Sequence, residues 1–324
     1  MNILVTGGAG YIGSVTVLKL LEKGYKVTII DKLINGNKYK KIGNETFYKG
    51  DLLDTGFIAN VFKEQPIDGV IHFAASLSVE ESMHNPGIYF ENNIQGTVNL
   101  LEAMKQHKVN TIIFSSSSGV YGNTGESLLR ETMLPKPENP YAESKKIVEE
   151  ILFWYKKIFD LQFVSLRYFN AAGATLDGRF GEHHVPEPHI IPRALFAALH
   201  DEAFFLYGND YPTKDGTCIR DYIHVLDLSG AHIRLLEALF EKKQLKNIYN
   251  VGTGKGYSNL DIVTMIKNLT GKNIKIEIKP RRMGDAAILV ADTTAITHDL
   301  EFRPKYSDLQ TILKSAWKWQ RKLG

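Results

Sequence analysis

Within the segment NPYAESKK, Asn139 to Lys146, two side chains could together move a proton. Tyr141 and Lys145 are spaced i, i+4, so on a helix they share one face a turn apart. A phenol ordinarily titrates near ~10, and a neighbouring ammonium favours its ionised form, as a base working near neutrality requires. Taken alone, Y-x-x-x-K describes a surface tyrosine beside a surface lysine just as well. Ser117 adds a third group, since it follows the apolar run of NTIIFSSSS and could meet the pair as a hydroxyl. Two or three of the serines Ser115 to Ser118 serve equally well as polar caps of a loop.

These groups need elements to hold them. Asn139 suits an N-cap and Pro140 the first helical position, which predicts a helix through YAESKKIVEEILFWYKKIF. The N-terminal stretch NILVTGGAGYIGSVTVLKLLEKGYKVTIID reads as strand, glycine-rich turn, helix, strand. Gly8, Gly10 and Gly13 form G-x-G-x-x-G, and Gly7, Gly10 and Gly13 form the wider G-x-x-G-x-x-G. Such glycines permit a tight turn and close backbone approach to a pyrophosphate at a helix N-terminus. Asp31, ending the second strand, can accept from an adenosine ribose and would repel a 2'-phosphate, which favours NAD over NADP. Lys32 beside it weakens that preference.

The rhythm continues with TFYKGDLLD, DGVIHFAA and NTIIFSSSS as strands and helical patterns around 54–64 and 86–106. This alternation predicts an α/β chain: a Rossmann-type, doubly wound parallel sheet with ligands at the carboxyl ends of its strands. Asp51, Phe73, Ala74 and Ser115 fall at such ends.

The 324 residues suggest one large domain and a smaller C-terminal substrate-binding lobe. The sheet domain is expected over 1–176, with 222–254 returning to it, and the lobe over 177–221 and 255–324. GAHIRLLEALFEKK reads as the returning helix, NIYNVG as a final strand, and SNLDIVTMIKNLTG and LQTILKSAWKWQRKL as amphipathic helices, with Trp317 and Trp319 in packing roles. Hydrophobic residues make 44% and charged residues 23%, and no apolar run is long enough for a bilayer. Met1 adjoins the first strand and leaves no room for a signal peptide, so a cytoplasmic protein is expected. The net charge of +3 arises from 39 basic and 36 acidic residues, intermixed, which argues against nucleic acid; YKVTIIDKLINGNKYKK reads as a solvated face. One cysteine, Cys218, rules out an internal disulfide. The ten histidines show no HExxH, and His183 and His184 sit in a Pro-rich loop without matching Cys or carboxylate spacing, so no metal is expected.

With these residues together the chain resembles the extended short-chain dehydrogenase/reductase superfamily, and within it the UDP-glucose (UDP-galactose) 4-epimerase family. The resemblance runs end to end, through VTGGAGYIGS, GDLLD, VIHFAA, NNIQGT, FSSSSGVYG, PYAESK, LRYFNAAGA, YGNDYPTKDGTCIRDYIHVLDL, YNVGTG and PRRMGDAA. It implies tightly bound NAD+ that takes hydride from the hexose C4 while Tyr141 takes the 4-hydroxyl proton. The 4-keto sugar then turns over and regains the hydride on its other face. Lys145 would stabilise the phenolate and hold the nicotinamide ribose, and Ser117 would bond the sugar O4. The cofactor is implied at Gly7, Gly10, Tyr11, Ile12 and Gly13, at Asp31, Asp51 and Leu52 around the adenosine, and at Phe73, Ala74, Asn92, Ser115, Tyr141, Lys145 and Tyr168. A UDP-hexose is implied at Ser117, Tyr141, Asn170, His189, Tyr207, Arg220, Arg282, Asp285 and Leu289, the two arginines on the pyrophosphate and Asp285 on the uridine ribose. From the residues alone, Arg220 could instead pair with Asp221. The family usually forms homodimers through the helix after Asn92 and the Tyr141 helix; the apolar run VNLLEAM fits that and fits a buried helix equally.

Three departures carry consequences. Leu77 stands where some members place a cofactor-contacting lysine, which implies looser retention, and His189 replaces an asparagine. Leu289 stands where some members place a tyrosine beside the sugar's 2-substituent, which implies room for an N-acetyl group. A 4,6-dehydratase would carry an acidic pair where this chain has Ser118 and Gly119. An epimerase acting on a UDP-uronic acid or UDP-pentose stays open. From another class, a non-catalytic NAD-binding regulator would have no need of Ser117, Tyr141 and Lys145 together.

Overall fold

The computed structural model describes residues 1–34, 40–282 and 284–323. Part of the basic run read as a solvated face, residues 35–39, lies outside them, as does Met283 of PRRMGDAA.

Short apolar runs become parallel strands because both of their faces are covered. They are β1 (Asn2–Thr6), β2 (Lys26–Asp31), β3 (Thr46–Lys49), β4 (Gly69–His72), β5 (Thr111–Ser115) and β6 (Gln162–Tyr168). With the strand Ile248–Val251 they build a seven-stranded sheet in the order Ile248–Val251, β6, β5, β4, β1, β2, β3. The pairings from β3 across to β6 are parallel. Every residue of β1, β4 and β5 is buried. The order reverses at β1 and β4, which makes their carboxyl ends the switch point where such sheets take ligands. Gly7 and Phe73, the first residues after β1 and β4, therefore flank the expected crevice.

Two compact units emerge, and their borders differ from the expected ones. The first comprises Met1–Val120, Pro137–Arg167 and Ser229–Tyr249; the second comprises Tyr121–Lys136, Tyr168–Leu228 and Asn250–Gly324. The border falls after Arg167 rather than at 176, and segment 121–136 joins the second unit. Hydrogen bonds explain the second change: Tyr121 Oη donates to Asn250 Oδ1 at 2.7 Å, Asn250 Nδ2 to the Leu129 carbonyl at 2.7 Å, and Leu129 N to the Val290 carbonyl at 2.9 Å. The returning helix spans Val225–Phe240, starting earlier than GAHIRLLEALFEKK suggests. The core of the second unit packs the helices Ile190–His200, Asn259–Thr270 and Leu309–Leu323, with Trp317 packed against it.

The helix predicted over 86–106 is broken. Pro86–Tyr89 and Gly96–Gln106 are α-helical, but Phe90–Gln95 between them is a π-helix. Its Asn93 side chain accepts from Ser76 N at 2.8 Å and donates to Ser76 O and Ser144 Oγ at 3.1 and 2.9 Å. These tertiary bonds hold the widened turn, a distortion common at functional sites.

One ion pair fastens the Pro140–Phe159 helix to the sheet. Glu149 accepts from Arg167 Nε and Nη2 at 3.0 and 2.6 Å and from Ser116 Oγ at 2.6 Å, with the side chains of Glu149 and Arg167 4% and 3% exposed. Truncating one partner of such a pair leaves a desolvated charge facing empty space. Glu149→Ala is expected to lower stability by about 3–5 kcal/mol, read from urea unfolding; a loss within error would show that the pair does not fasten the helix.

Candidate active site

The sequence around Tyr141 folds as its cap predicts. Asn139 Oδ1 accepts from Ala142 N at 2.9 Å, and Pro140 opens the helix. Tyr141, in the first turn, is partly buried and meets the ring of Tyr89 edge-on, at 6.5 Å between centroids. Tyr89 is itself buried and anchored through its hydroxyl to the Ser78 carbonyl at 2.6 Å and to Glu81 at 2.9 Å.

Lys145, one turn on, is 2% exposed. Its Nζ donates to the Ser115 carbonyl at 2.9 Å and lies 4.9 Å from the Phe114 ring centroid and 5.9 Å from that of Tyr141. Burial pulls its pKa from the ordinary 10.5 down to about 7, opposed by the charge of Glu149. His72 sits between Thr6 Oγ1 at 2.6 Å and Thr97 Oγ1 at 2.8 Å, and burial, then the Lys145 charge, hold it down to about 3. Lys145 is thus an ammonium poised to lose its proton next to a neutral imidazole.

The serine cluster divides its work. Ser116 belongs to the Glu149 clamp, and the Ser115 carbonyl receives Lys145 while its buried hydroxyl makes no hydrogen bond among the described residues. Ser117, partly exposed, accepts from Gly119 N at 3.1 Å and keeps its own proton for another acceptor.

The glycine turn is a cradle that admits no side chain. Gly7 has φ +70°, and a Cβ there would lie 2.7 Å from Ala74 N; a Cβ on Gly13 would lie 2.1 Å from the Gly7 carbonyl. The Tyr11–Glu22 helix starts at Gly10 with no side-chain cap and no acid in its first turn, an end that suits an anion. Tyr11 and Ile12 are partly exposed there. Asp31 accepts from Ala9 N at 3.0 Å and Leu33 N at 2.8 Å, which fixes its carboxylate beside the turn. Lys32 is drawn away from that position, donating to Asp51 at 3.2 Å and Asn92 at 2.7 Å. It therefore does less to attract a 2'-phosphate than its place beside Asp31 suggests. Leu52 is buried, Phe73 packs on His232 at 4.7 Å, and Asn92 lies in the π-helical turn and donates to Ser76 Oγ at 3.2 Å. Tyr168 ends β6, partly buried, and Leu77 is 41% exposed. The turn without side chains, the orphaned Ser115 hydroxyl and the carboxylate of Asp31 fit a dinucleotide.

In the second unit Arg220, Arg282, Asp285 and Tyr207 come together. Arg282 Nε donates to Asp285 at 3.0 Å, Arg220 Nη2 lies 3.8 Å from Asp285, and the Arg282 guanidinium lies 5.2 Å from the Tyr207 ring centroid. Two guanidiniums share one carboxylate, so positive charge is left for an anionic ligand. Asp221 is no partner for Arg220: fully buried, it accepts from Thr253 N and Oγ1, Gly254 N and Ala291 N. Leu289 lies in register with Arg220, and Asn170 with Tyr222. His189 is engaged elsewhere, with its Nδ1 2.5 Å from Glu182 Oε1 and 3.6 Å from Glu187.

Sequence reasoning missed the Glu149–Arg167–Ser116 clamp, His72, and the grouping of Glu182, His184 and Glu187 around His189. A signal existed for the clamp: Glu149 follows Lys145 by four residues and shares its helix face.

A lysine whose folded pKa is lowered binds fewer protons folded than unfolded between about pH 7 and its ordinary 10.5. Its burial therefore opposes folding fully below about 7, and that penalty shrinks as pH rises through the window. Lys145→Met should out-stabilise the parent most at pH 6, the advantage shrinking by roughly 2–3 kcal/mol by pH 9 in urea unfolding; an advantage independent of pH would contradict the buried charge.

Comparisons with known proteins place the chain in a family. The family model described as GDP-mannose 4,6 dehydratase matches residues 4–315. A UDP-glucose 4-epimerase of Lacticaseibacillus casei is 44% identical, over 98% of this chain and 96% of that protein. The crystal structure of UDP-glucose 4-epimerase from Brucella ovis in complex with NAD is similar at TM-score 0.93 and 41% identity, covering 98% of each chain. That of the Bifidobacterium longum enzyme in complex with NAD+ and UDP is similar at TM-score 0.93 and 36% identity, covering 99% of this chain and 98% of the other. Matched end to end, the chain belongs to the family that the dehydratase model describes and, among its members, to the UDP-glucose 4-epimerases.

Proposed function

We propose that this chain interconverts UDP-galactose and UDP-glucose by transient oxidation at the sugar C4, with tightly held NAD recycled in each turnover. The observation that carries the reading is the packing of Tyr141 over a buried Lys145, held on the Ser115 carbonyl two residues before Ser117. Bound NAD supplies a hydride acceptor that returns what it takes. Tyr141 removes the proton of the 4-hydroxyl and gives it back, a role its phenol can fill only if the negative oxygen is stabilised. Lys145 stabilises it through its charge, which burial leaves little screened by water. Ser117 donates to the sugar O4 and keeps the reacting oxygen oriented. In the second unit Arg220 and Arg282 neutralise the pyrophosphate, Asp285 and Tyr207 hold the uridine, and Asn170 bonds the sugar-nucleotide.

The dehydratase reading lacks its acids, since Ser118 and Gly119 occupy those positions in a short 3-10 turn. NAD is favoured over NADP because Asp31 borders the turn while Lys32 is held by Asp51 and Asn92. The protein acts in galactose metabolism, in the cytosol, as a homodimer. Exposed Phe153, Trp154, Ile158 and Phe159 on the Tyr141 helix support the pairing. Among the described residues no helix is long and apolar enough to cross a membrane.

Tyr141→Phe should reduce UDP-galactose turnover by roughly 10²–10⁴-fold while the co-purified NAD stays at parental occupancy; full activity in that variant would remove Tyr141 from the chemistry. Leu289, in register with Arg220, is smaller than the tyrosine that some members place there. The parent is therefore expected to turn over UDP-GalNAc, and Leu289→Tyr to lose that activity at least tenfold relative to UDP-galactose. Absence of UDP-GalNAc turnover at high enzyme concentration would defeat this reading of the pocket.

A further inference from the structure

The segment Glu182 to His189, EHHVPEPH, gathers four side chains, of which the family resemblance gives a task only to His189. Glu182, His184, Glu187 and His189 each point one ligand-type atom to a common place, all within 4.8 Å of one another. The 2, 3, 2 spacing matches no linear metal motif, and only the folded loop brings the groups together.

Three of the converging atoms face one another. Glu182 is 6% exposed, and its Oε1 lies 2.5 Å from His189 Nδ1 and 3.4 Å from His184 Nδ1, yet none of the three makes an aligned hydrogen bond. Buried polar atoms are normally satisfied with good geometry, so three brought together without it point to a shared ligand. The scaffold is firm around them. The Glu182 carbonyl accepts from Trp319 Nε1 at 2.7 Å, and Glu187 accepts from His184 N at 3.2 Å and His189 N at 3.0 Å. His189 is the N-cap residue of the Ile190–His200 helix, but its side chain makes no capping bond and turns to Glu182 instead.

We infer that Glu182, His184, Glu187 and His189 form a binding site for a divalent metal of borderline softness, with zinc the best match. Zinc bonds of ~2.0–2.1 Å in a tetrahedron require ligand atoms about 3.3 Å apart. The distances from His184 Nδ1 to Glu182 and Glu187 are 3.4 and 3.5 Å, and that from His189 Nδ1 to Glu187 is 3.6 Å. The 2.5 Å contact of His189 with Glu182 has to open by about 0.8 Å, and the widest separation, up to 4.8 Å, has to close by about 1.5 Å, through side-chain rotamer adjustments. With the imidazole protons displaced by the metal, two carboxylates and two neutral imidazoles balance a dication, and imidazole nitrogens favour zinc over magnesium or calcium. Four protein ligands close the shell, which makes the site structural: it fastens the loop that leads into the Ile190–His200 helix. A cleft of about 440 Å³, lined by Glu182, His184 and Glu187 with Arg193 and Phe196, provides the way in.

The test uses untagged full-length protein, stripped with EDTA and titrated calorimetrically with Zn²⁺, with bound metal counted after buffer exchange. About one zinc per chain is expected, with at least a hundredfold weaker binding in the H184Q/E187Q double variant checked for folding by circular dichroism. Cobalt on the parent protein is a second measurement that needs no variant, and the intense visible bands of a tetrahedral centre are expected. No retained zinc, equal affinity in a folded double variant, or only the weak bands of octahedral cobalt would overturn the site and leave four groups paired as ions.

Discussion

An ammonium buried at the carboxyl end of a parallel strand is the constraint on which the catalytic unit depends. Removing Lys145 from water is costly, and a bare charge there would simply lose its proton. The structure meets this with one carbonyl, one aromatic face and one carboxylate: Ser115 O, Phe114 and, a helical turn further, Glu149. Glu149 in turn is committed to Arg167 and Ser116. The helix that carries Tyr141 is therefore fixed to β5 and β6 by the same groups that tune its lysine, so position and electrostatics cannot be altered separately.

At the carboxyl end of β1 the constraint is space. Gly7 and Gly13 keep side chains out of the turn, and the helix behind it starts with no side-chain cap. Asp31 is aligned by two backbone N–H groups, while Asp51 and Asn92 withdraw Lys32. A preference between two dinucleotides differing by one phosphate thus rests on where a single ammonium is held. The second unit solves a different problem, with Arg220 and Arg282 sharing Asp285 so that neither collapses onto a private carboxylate.

Local signals were legible and tertiary ones were not. The cap at Asn139, the Tyr141–Lys145 spacing and the spacing of the glycines are written in neighbours within a few residues, and short-range geometry settles them. The partner of Arg220 is 65 residues away, and adjacency made Asp221 look equally apt until its four backbone and hydroxyl donors were seen. The helix around Asn92 obeyed its periodicity only outside the turn where Asn93 bonds Ser76 and Ser144, contacts that no pattern encodes. Segment 121–136 follows Asn250 and Val290 for the same reason. The candidate site residues were readable because they fall in short local patterns at strand ends and in the first turns of one helix; the clamp that supports them was hidden because its partners lie on different elements.

The central claim is that the hydride leaving C4 of the sugar is the one that returns to it. Turnover of UDP-galactose carrying deuterium at C4, in ordinary water and without added NAD, tests this directly. Retention of the label at C4 of UDP-glucose, with a slowed rate, is the predicted result. Loss of deuterium to water would contradict it, because C4 would then exchange a proton with solvent and the buried lysine and its tyrosine would serve some other reaction.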